Sequence, residues 1–121
     1  MGDVTESGQQ AVLRSLRQAN PDITAAVLAT ADGFAVHADA AGEVDGDALA
    51  ATAADISLRA SKMVQELGQG DLREIVVVSA NGYILSARVS DDLCLAVTAR
   101  SGATLGLLIV SVRKAAGELA E

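Results

Sequence analysis

The chain is poor in the residue types that build most chemical sites. Among 121 residues it has one cysteine, one proline, one histidine and two aromatic residues, Phe34 and Tyr83. A single cysteine excludes an intrachain disulfide and a zinc site built from several thiolates. No apolar run approaches the roughly 20 residues that span a bilayer. The first ten residues, MGDVTESGQQ, contain neither a basic nor an apolar segment, so no signal peptide is expected.

Positive charge is also scarce. The chain has 9 Lys and Arg against 16 Asp and Glu, which gives a formal net charge of −7. Nucleic-acid binding is therefore not expected, because phosphate contacts need basic side chains and base stacking needs rings. Half of the residues are hydrophobic and the mean hydropathy is +0.34, which favours a folded, alanine-rich core. We predict one cytoplasmic domain over residues 1–121, with residues 1–6 disordered and with neither membrane nor nucleic acid as a partner.

The few reactive side chains do not form a recognisable catalytic set. His37 lies on the predicted second strand, just before a loop, without a catalytic partner nearby in sequence. Cys94 lies in the apolar run LCLAV, where a buried, inert thiol is expected. A His–Cys pair is not excluded by the sequence alone. The segment 101–106 leads into a helix but lacks the Gly-Lys-Ser/Thr of a phosphate loop. No metal, cofactor or catalytic residue is predicted, and the chain is not expected to be an enzyme.

Turn signals divide the chain into eight elements. Asp32-Gly33 joins an apolar run at Ile23–Thr30 to a second at 34–38, and Asn81-Gly82 joins 72–80 to 83–88. A fifth strand is predicted at 93–99, and helices are predicted before Pro21 and after residue 103. The runs 23–30 and 93–99 are apolar at nearly every position, so both sheet faces should be covered. The predicted fold is α+β, with the order α-β-β-α-β-β-β-α and a five-stranded, largely antiparallel sheet in a three-layer arrangement of helix, sheet and helices.

The longest amphipathic pattern runs from Asp45 to Leu67. At about 100° per residue, the larger apolar side chains form one stripe of Leu49, Ala53, Ile56, Ala60, Met63 and Leu67. A narrow polar strip contains Thr52, Asp55, Arg59, Lys62 and Glu66. The remaining residues are mostly small, so this helix should have one neighbour inside the domain and another outside it. Asp45 or Asp47 is expected to cap its start, and Gly68 to end it.

The polar strip has two interpretations. Asp55 and Arg59 are four residues apart, as are Lys62 and Glu66, so they could be exposed ion pairs of little energetic value. The alternative is a docking surface, and one version of it supplies an arginine to the nucleotide site of a partner. We take Asp55, Arg59, Lys62 and Glu66 as the candidate docking residues.

The chain resembles the roadblock/dynein light-chain domain in its bacterial form, from about Leu13 to Leu119. The resemblance rests on the hairpin AAVLATADGF at residues 25–34, on the helix that begins Leu49-Ala50-Ala51, and on Ala103-Thr104-Leu105-Gly106 before the last helix. The chain is most similar to the small actinobacterial members encoded beside Ras-like GTPases and sensor kinases in conservon clusters.

This resemblance implies a sheet with one central helix on one face and two terminal helices on the other. It also implies a homodimer in which central helices pack together and third strands join into one ten-stranded sheet. Leu49, Ile56 and Met63 would then pack on the sheet. The expected dimer interface comprises Ala50, Ala54, Ser57, Leu58, Ser61, Ile75 and Val77. The family also implies a non-enzymatic platform that binds a small Ras-like GTPase and modulates it. The alternative is a structural dimerisation scaffold in a signalling or cytoskeletal complex, without effect on GTP turnover.

Overall fold

The computed structural model describes residues 4–121, with side chains from residue 8 onward. The elements are α1 (Val4–Ala19), β1 (Ile23–Thr30), β2 (Ala35–Ala40), α2 (Gly46–Glu66), β3 (Glu74–Ser79), β4 (Gly82–Arg88), β5 (Leu93–Arg100) and α3 (Leu105–Ala120). This order confirms the predicted one. Of the segment expected to be disordered, residues 1–3 lie outside the described residues, and residues 4–6 form the start of α1.

All five strands form one sheet in the order β2-β1-β5-β4-β3, and every neighbouring pair is antiparallel. The two hairpins lie where the turn signals placed them. In the first, Gly33 has a φ of 93°, and the Thr30 N–H donates to the Phe34 carbonyl at 2.9 Å. The central position of β1 and β5 explains their continuous apolar sequences, because residues there are buried on both faces.

Alternate residues of β1 point into two separate cores. Ala26 and Leu28 pack with α1 and α3, around Leu13 and Val112. On the other face, β1 contributes residues to a smaller cluster with α2, formed by Ala25, Val27, Ala29, Leu49, Ala50, Ala53 and Ala96. The sheet therefore lies between the central helix and the two terminal helices, which confirms the three predicted layers.

Both ends of α2 follow the predicted capping chemistry. The Asp45 carboxylate accepts hydrogen bonds from the backbone N–H groups of Asp47 and Ala48, at 3.0 and 3.1 Å. The helix ends at Glu66, and Gly68 follows with a φ of 71°, a left-handed conformation that glycine adopts at low cost. These ends fix which residues of α2 extend over the sheet.

Replacing the capping residue should destabilise the fold. Asp45→Ala is expected to lower the free energy of unfolding by about 1 kcal/mol, because two N–H groups at the helix start lose their acceptor. Urea denaturation followed by circular dichroism measures this difference. Asp47→Ala is the matched control, because it removes the same charge but no capping acceptor. An equal loss in both variants would mean that charge, not capping, is responsible.

The two edges of the sheet differ in how their backbone is covered. At the β2 edge, the Gln10 side-chain amide donates to the Ala38 carbonyl at 2.9 Å. On the inner side of β3, the Arg88 N–H of β4 donates to the Arg73 carbonyl at 2.8 Å, which sets the alternation along β3. Because hydrogen-bonded and outward residues alternate along an antiparallel edge, the backbone groups of Glu74, Val76 and Val78 point outward. Among the described residues, nothing bonds to the outward backbone of Val76 or Val78, so β3 is an open edge.

Candidate protein-interaction site

The central helix buries only its first half. Leu49, Ala50 and Ala53 are buried against the sheet. In the second half, Ile56 and Met63 remain 40% and 56% exposed, and Leu67, just after the helix, is 68% exposed. The prediction that Ile56 and Met63 pack on the sheet is therefore wrong. The physical reason is that small residues, Ala50 and Ala53 and then the half-buried Ser57 and Ser61, face inward and allow α2 to approach the sheet closely.

Ala50 was also predicted to lie in a dimer interface, and the structure contradicts this placement. Its side chain is fully buried in the cluster with Val27 and Ala96. A residue with no exposed surface inside its own protomer offers nothing for a second copy to contact. The sequence could not distinguish Ala50 from Ala54, because both are alanines on the same broad arc of small residues.

Most of the remaining predicted interface residues surround one groove. The groove has a volume of about 390 Å³ and lies between α2 and the strands β3, β4 and β5. Its walls include five predicted interface residues, namely Ala54, Ser57, Leu58, Ser61 and Ile75. Val77 lies two residues after Ile75, on the same face of β3, and is half-buried. We call this feature the α2–β3 groove.

The groove is open because α2 does not extend over the edge of the sheet. The helix packs mainly on β1 and β2, and less on β5. Ile84 of β4 lies on the face of the sheet that α2 covers, and it is partly exposed. Leu58 of α2 is 73% exposed at the rim of the groove. An apolar rim beside an open strand edge is typical of a surface that binds another polypeptide.

The polar strip faces solvent throughout. Asp55, Arg59, Lys62 and Glu66 are all exposed. The Arg59 Nε and Asp55 Oδ2 atoms are 3.7 Å apart, with side chains 80% and 69% exposed. An ion pair in water at this distance contributes on the order of 0–1 kcal/mol to stability. The strip is therefore available to a partner at little cost to the fold.

Sequence reasoning missed the apolar side chains that border this strip. Ile56 and Met63 are seven residues apart, so they lie along one side of α2, and Leu67, the residue that caps the helix, follows four residues later. We call them the apolar flank. Around the helix, Met63 lies about 140° and Ile56 about 160° from Leu58, so the flank is opposite the groove. The stripe of small residues on α2 could have identified this flank from the sequence, because small side chains are the better candidates for close packing against the sheet.

An ion pair connects the β3 edge to the last helix on the opposite face of the sheet. The Arg113 guanidinium donates to both oxygens of the Glu74 carboxylate, with distances of 2.9 and 2.5 Å. These bonds lower the pKa of Glu74 below its usual value and raise that of Arg113, and the charge of each partner adds to the effect. The pair links α3 to the start of β3 and leaves the outward backbone of Val76 and Val78 uncovered.

The reactive side chains are not assembled into a site. His37 pairs across the strands with Leu28, whereas Cys94 pairs with Ala29, so their side chains lie on opposite faces of the sheet. Burial raises the pKa of the Cys94 thiol, and a hydrogen bond with Ser86 opposes this shift. Within residues 4–121, no group of three or more His, Cys, Asp or Glu side chains could hold a metal ion. None of the helices described is long and apolar enough to cross a membrane.

Comparison with known proteins decides the family. Residues 9–99 match the family model described as the Roadblock/LC7 domain. The chain belongs to the Roadblock/LC7 domain family. This confirms the resemblance seen in the sequence. Among curated proteins, none matches the chain.

Three solved structures illustrate how closely the Roadblock/LC7 fold is reproduced. A Roadblock/LC7 domain from Streptomyces avermitilis is 24% identical, with a TM-score of 0.81 over 88% of this chain and 90% of that one. The gliding protein MglB from Thermus thermophilus is 18% identical, with a TM-score of 0.87 over 97% and 89%. An MglB with a tetrameric arrangement is 19% identical, with a TM-score of 0.88 over 97% and 88%. At these identities the likeness concerns the fold.

Proposed function

We propose that this Roadblock/LC7 chain is a cytoplasmic, non-enzymatic regulatory module that forms a homodimer and binds a small Ras-like GTPase. The observation that carries the proposal is the open β3 edge beside the α2–β3 groove, which together form a surface suited to a second copy. The GTPase follows from the family resemblance, and the exposed strip on α2 is the surface we assign to it.

The dimer is supported by the chemistry of β3. An open strand edge is a template for pairing with another strand, and proteins that avoid pairing protect such edges with lysine, proline or bulges. The strand EIVVVS has none of these residues, and its pairing with β4 is regular over all six positions. Pairing two copies of β3 antiparallel satisfies a two-fold axis, since each strand then presents the same edge to the other. The tetrameric arrangement of one MglB is consistent with self-association on this fold.

The strip is expected to steer and orient the GTPase. Arg59→Glu combined with Lys62→Glu should weaken binding about tenfold or more, because reversed charges oppose the complementary groups of the partner. Fluorescence titration of this chain against a candidate small Ras-like GTPase, loaded with GDP or a non-hydrolysable GTP analogue, measures the effect. We expect wild-type affinity to depend on the nucleotide.

A matched control removes the effect of net charge. Arg14→Glu combined with Lys114→Glu makes the same change in charge on exposed residues of α1 and α3. This variant should bind the GTPase as the wild type does, and both double variants should keep the wild-type mass. Equal affinity of the two double variants would remove the strip from the docking surface.

The alternative function, a structural scaffold, makes a different prediction about turnover. A scaffold would leave the rate of GTP hydrolysis unchanged when the chain is added to the GTPase. A regulator would change that rate or the rate of nucleotide release. Measuring both rates with and without the chain separates the two functions.

A further inference from the structure

We propose that Asn81, in the turn between β3 and β4, is a site of spontaneous deamidation that introduces an isoaspartyl linkage into this hairpin. The reacting groups belong to the dipeptide Asn81-Gly82, and water is the co-reactant. The backbone nitrogen of Gly82 attacks the side-chain carbonyl carbon of Asn81, gives up its proton and expels ammonia. Water then opens the succinimide ring at either carbonyl, which yields aspartate or isoaspartate. Either product adds one negative charge to the hairpin.

The two asparagines of the chain differ in their ability to react. Asn20 precedes Pro21, whose backbone nitrogen carries no proton to lose, so this ring closure is blocked there. The Asn20 amide also donates to the Leu16 carbonyl at 2.9 Å and accepts from the Ser111 hydroxyl at 3.2 Å. Asn81 is exposed, and its side chain forms no hydrogen bond with the residues that the structure describes. Its carbonyl carbon is therefore accessible both to Gly82 and to water.

Close packing keeps the reactive neighbour in place. A Cβ atom at Gly82 would lie 2.2 Å from the Ala99 carbonyl oxygen, so the approach of β5 requires glycine at this position. Glycine is also the residue that hinders attack on a preceding asparagine least, because it has no side chain and the widest choice of backbone conformation. The packing of β4 on β5 thus retains the residue that makes Asn81 labile.

Opening of the turn controls the rate. The Gly82 N–H is bonded to Ser79 while the turn is closed, because bonded and outward positions alternate along β3 and Ser79 is a bonded one. The Ser79 hydroxyl also donates to the Gly82 carbonyl at 2.9 Å. Attack requires these bonds to break. Loop tips open most easily, and β3 is held by strand bonds on one side only, so the native protein should react, but more slowly than the unfolded chain.

The isoaspartyl product changes the edge of the sheet. It routes the backbone through the former side chain and so adds one carbon atom to a two-residue loop. Because β4 is the single neighbour of β3 in the described sheet, a longer loop shifts β3 relative to β4. The outward backbone groups of Val76 and Val78 lie on the strand that shifts. We therefore expect the isoaspartyl form to pair less well with a second copy, and this part of the inference rests on the proposed function.

Peptide mapping of aged protein tests the site. The full chain is incubated at physiological temperature and mildly alkaline pH, with and without urea, and is then digested and analysed by chromatography and mass spectrometry. The peptide that contains Asn81 should split into two products with the mass of the acid, while the peptide that contains Asn20 keeps the mass of the amide. Conversion in urea should be about tenfold faster or more, because the turn is then open in every molecule. Asn81→Gln is the matched control and should give no product, since its longer side chain closes a less favourable ring.

Conversion at Asn81 in the native chain, with Asn20 intact, supports the site. A native chain that keeps its Asn81 amide, whether or not the urea sample converts, overturns it. Light scattering on the separated isoaspartyl form tests the effect on pairing: a lower mass than that of fresh protein supports the effect, and an unchanged mass overturns it while the site stands. A monomeric fresh protein would contradict the proposed dimer and leave the site to be decided by peptide mapping.

Discussion

Val76→Pro is expected to convert the proposed dimer into a monomer, which halves the mass measured by light scattering at micromolar concentration. The Val76 N–H points away from β4, so proline removes no hydrogen bond within the protomer. The same N–H is needed for pairing with a second β3, and the proline ring blocks the approach of another strand. The fold should persist, with a far-ultraviolet circular dichroism spectrum like that of the wild type.

Val77→Pro provides the contrasting control. Val77 pairs with Ile84 at a position where the backbone groups bond to β4, so proline there breaks the ladder inside the protomer. This variant should lose about 3 kcal/mol or more of unfolding free energy. A folded Val76→Pro protein that keeps the wild-type mass would show that β3 is not the pairing edge. A monomeric wild type would contradict the dimer itself.

Gly82→Ala should produce the largest loss of stability from a single methyl group. A Cβ atom at this position would lie 2.2 Å from the Ala99 carbonyl oxygen, and that oxygen belongs to the backbone of the central strand β5. A backbone atom in a buried sheet cannot rotate away, so β4 must shift relative to β5. The expected cost is about 2–3 kcal/mol, in the range of overpacked cores. This corresponds to a fall in Tm on the order of 10 °C in differential scanning calorimetry.

Gly117→Ala is the matched control, and its expected effect has the opposite sign. Nothing lies within 4 Å of a Cβ atom at this position on the exposed side of α3. Alanine is the better helix former, so stability should rise by about 0.5–1 kcal/mol. If Gly82→Ala proved as harmless as Gly117→Ala, close backbone packing would not be the reason for glycine at residue 82.

The fold could be predicted because its signals are local. The Asp32-Gly33 turn, the Asp45 cap and the Gly68 end each depend on residues within a few positions of one another, and each lies where expected. The continuous apolar sequences of β1 and β5 also indicated the covered sheet, since burial on both faces removes alternation. The family resemblance then supplied the arrangement of the terminal helices.

The interaction surface was harder to predict because helical spacing gives faces but not their neighbours. Ala50 and Ala54 lie on the same arc of small residues, and only the position of the sheet shows that Ala50 is buried while Ala54 lines the groove. Ile56 and Met63 fit a core stripe by size, but the small residues of α2 were the ones that faced the sheet. Which side of a helix meets its own domain is decided by long-range packing, and this information is distributed over the whole chain.

The hydrogen bond from Gln10 to the Ala38 carbonyl has a consequence for the proposed strand pairing. Ala38 lies near the middle of β2, and its backbone points away from β1. Its carbonyl already accepts a hydrogen bond from Gln10 on α1. A sheet with two equally open edges could add copies without end and grow into a fibre. With β2 occupied in this way and β3 open, the proposed pairing through β3 would use the one open edge of the described sheet, so strand addition would end at two subunits.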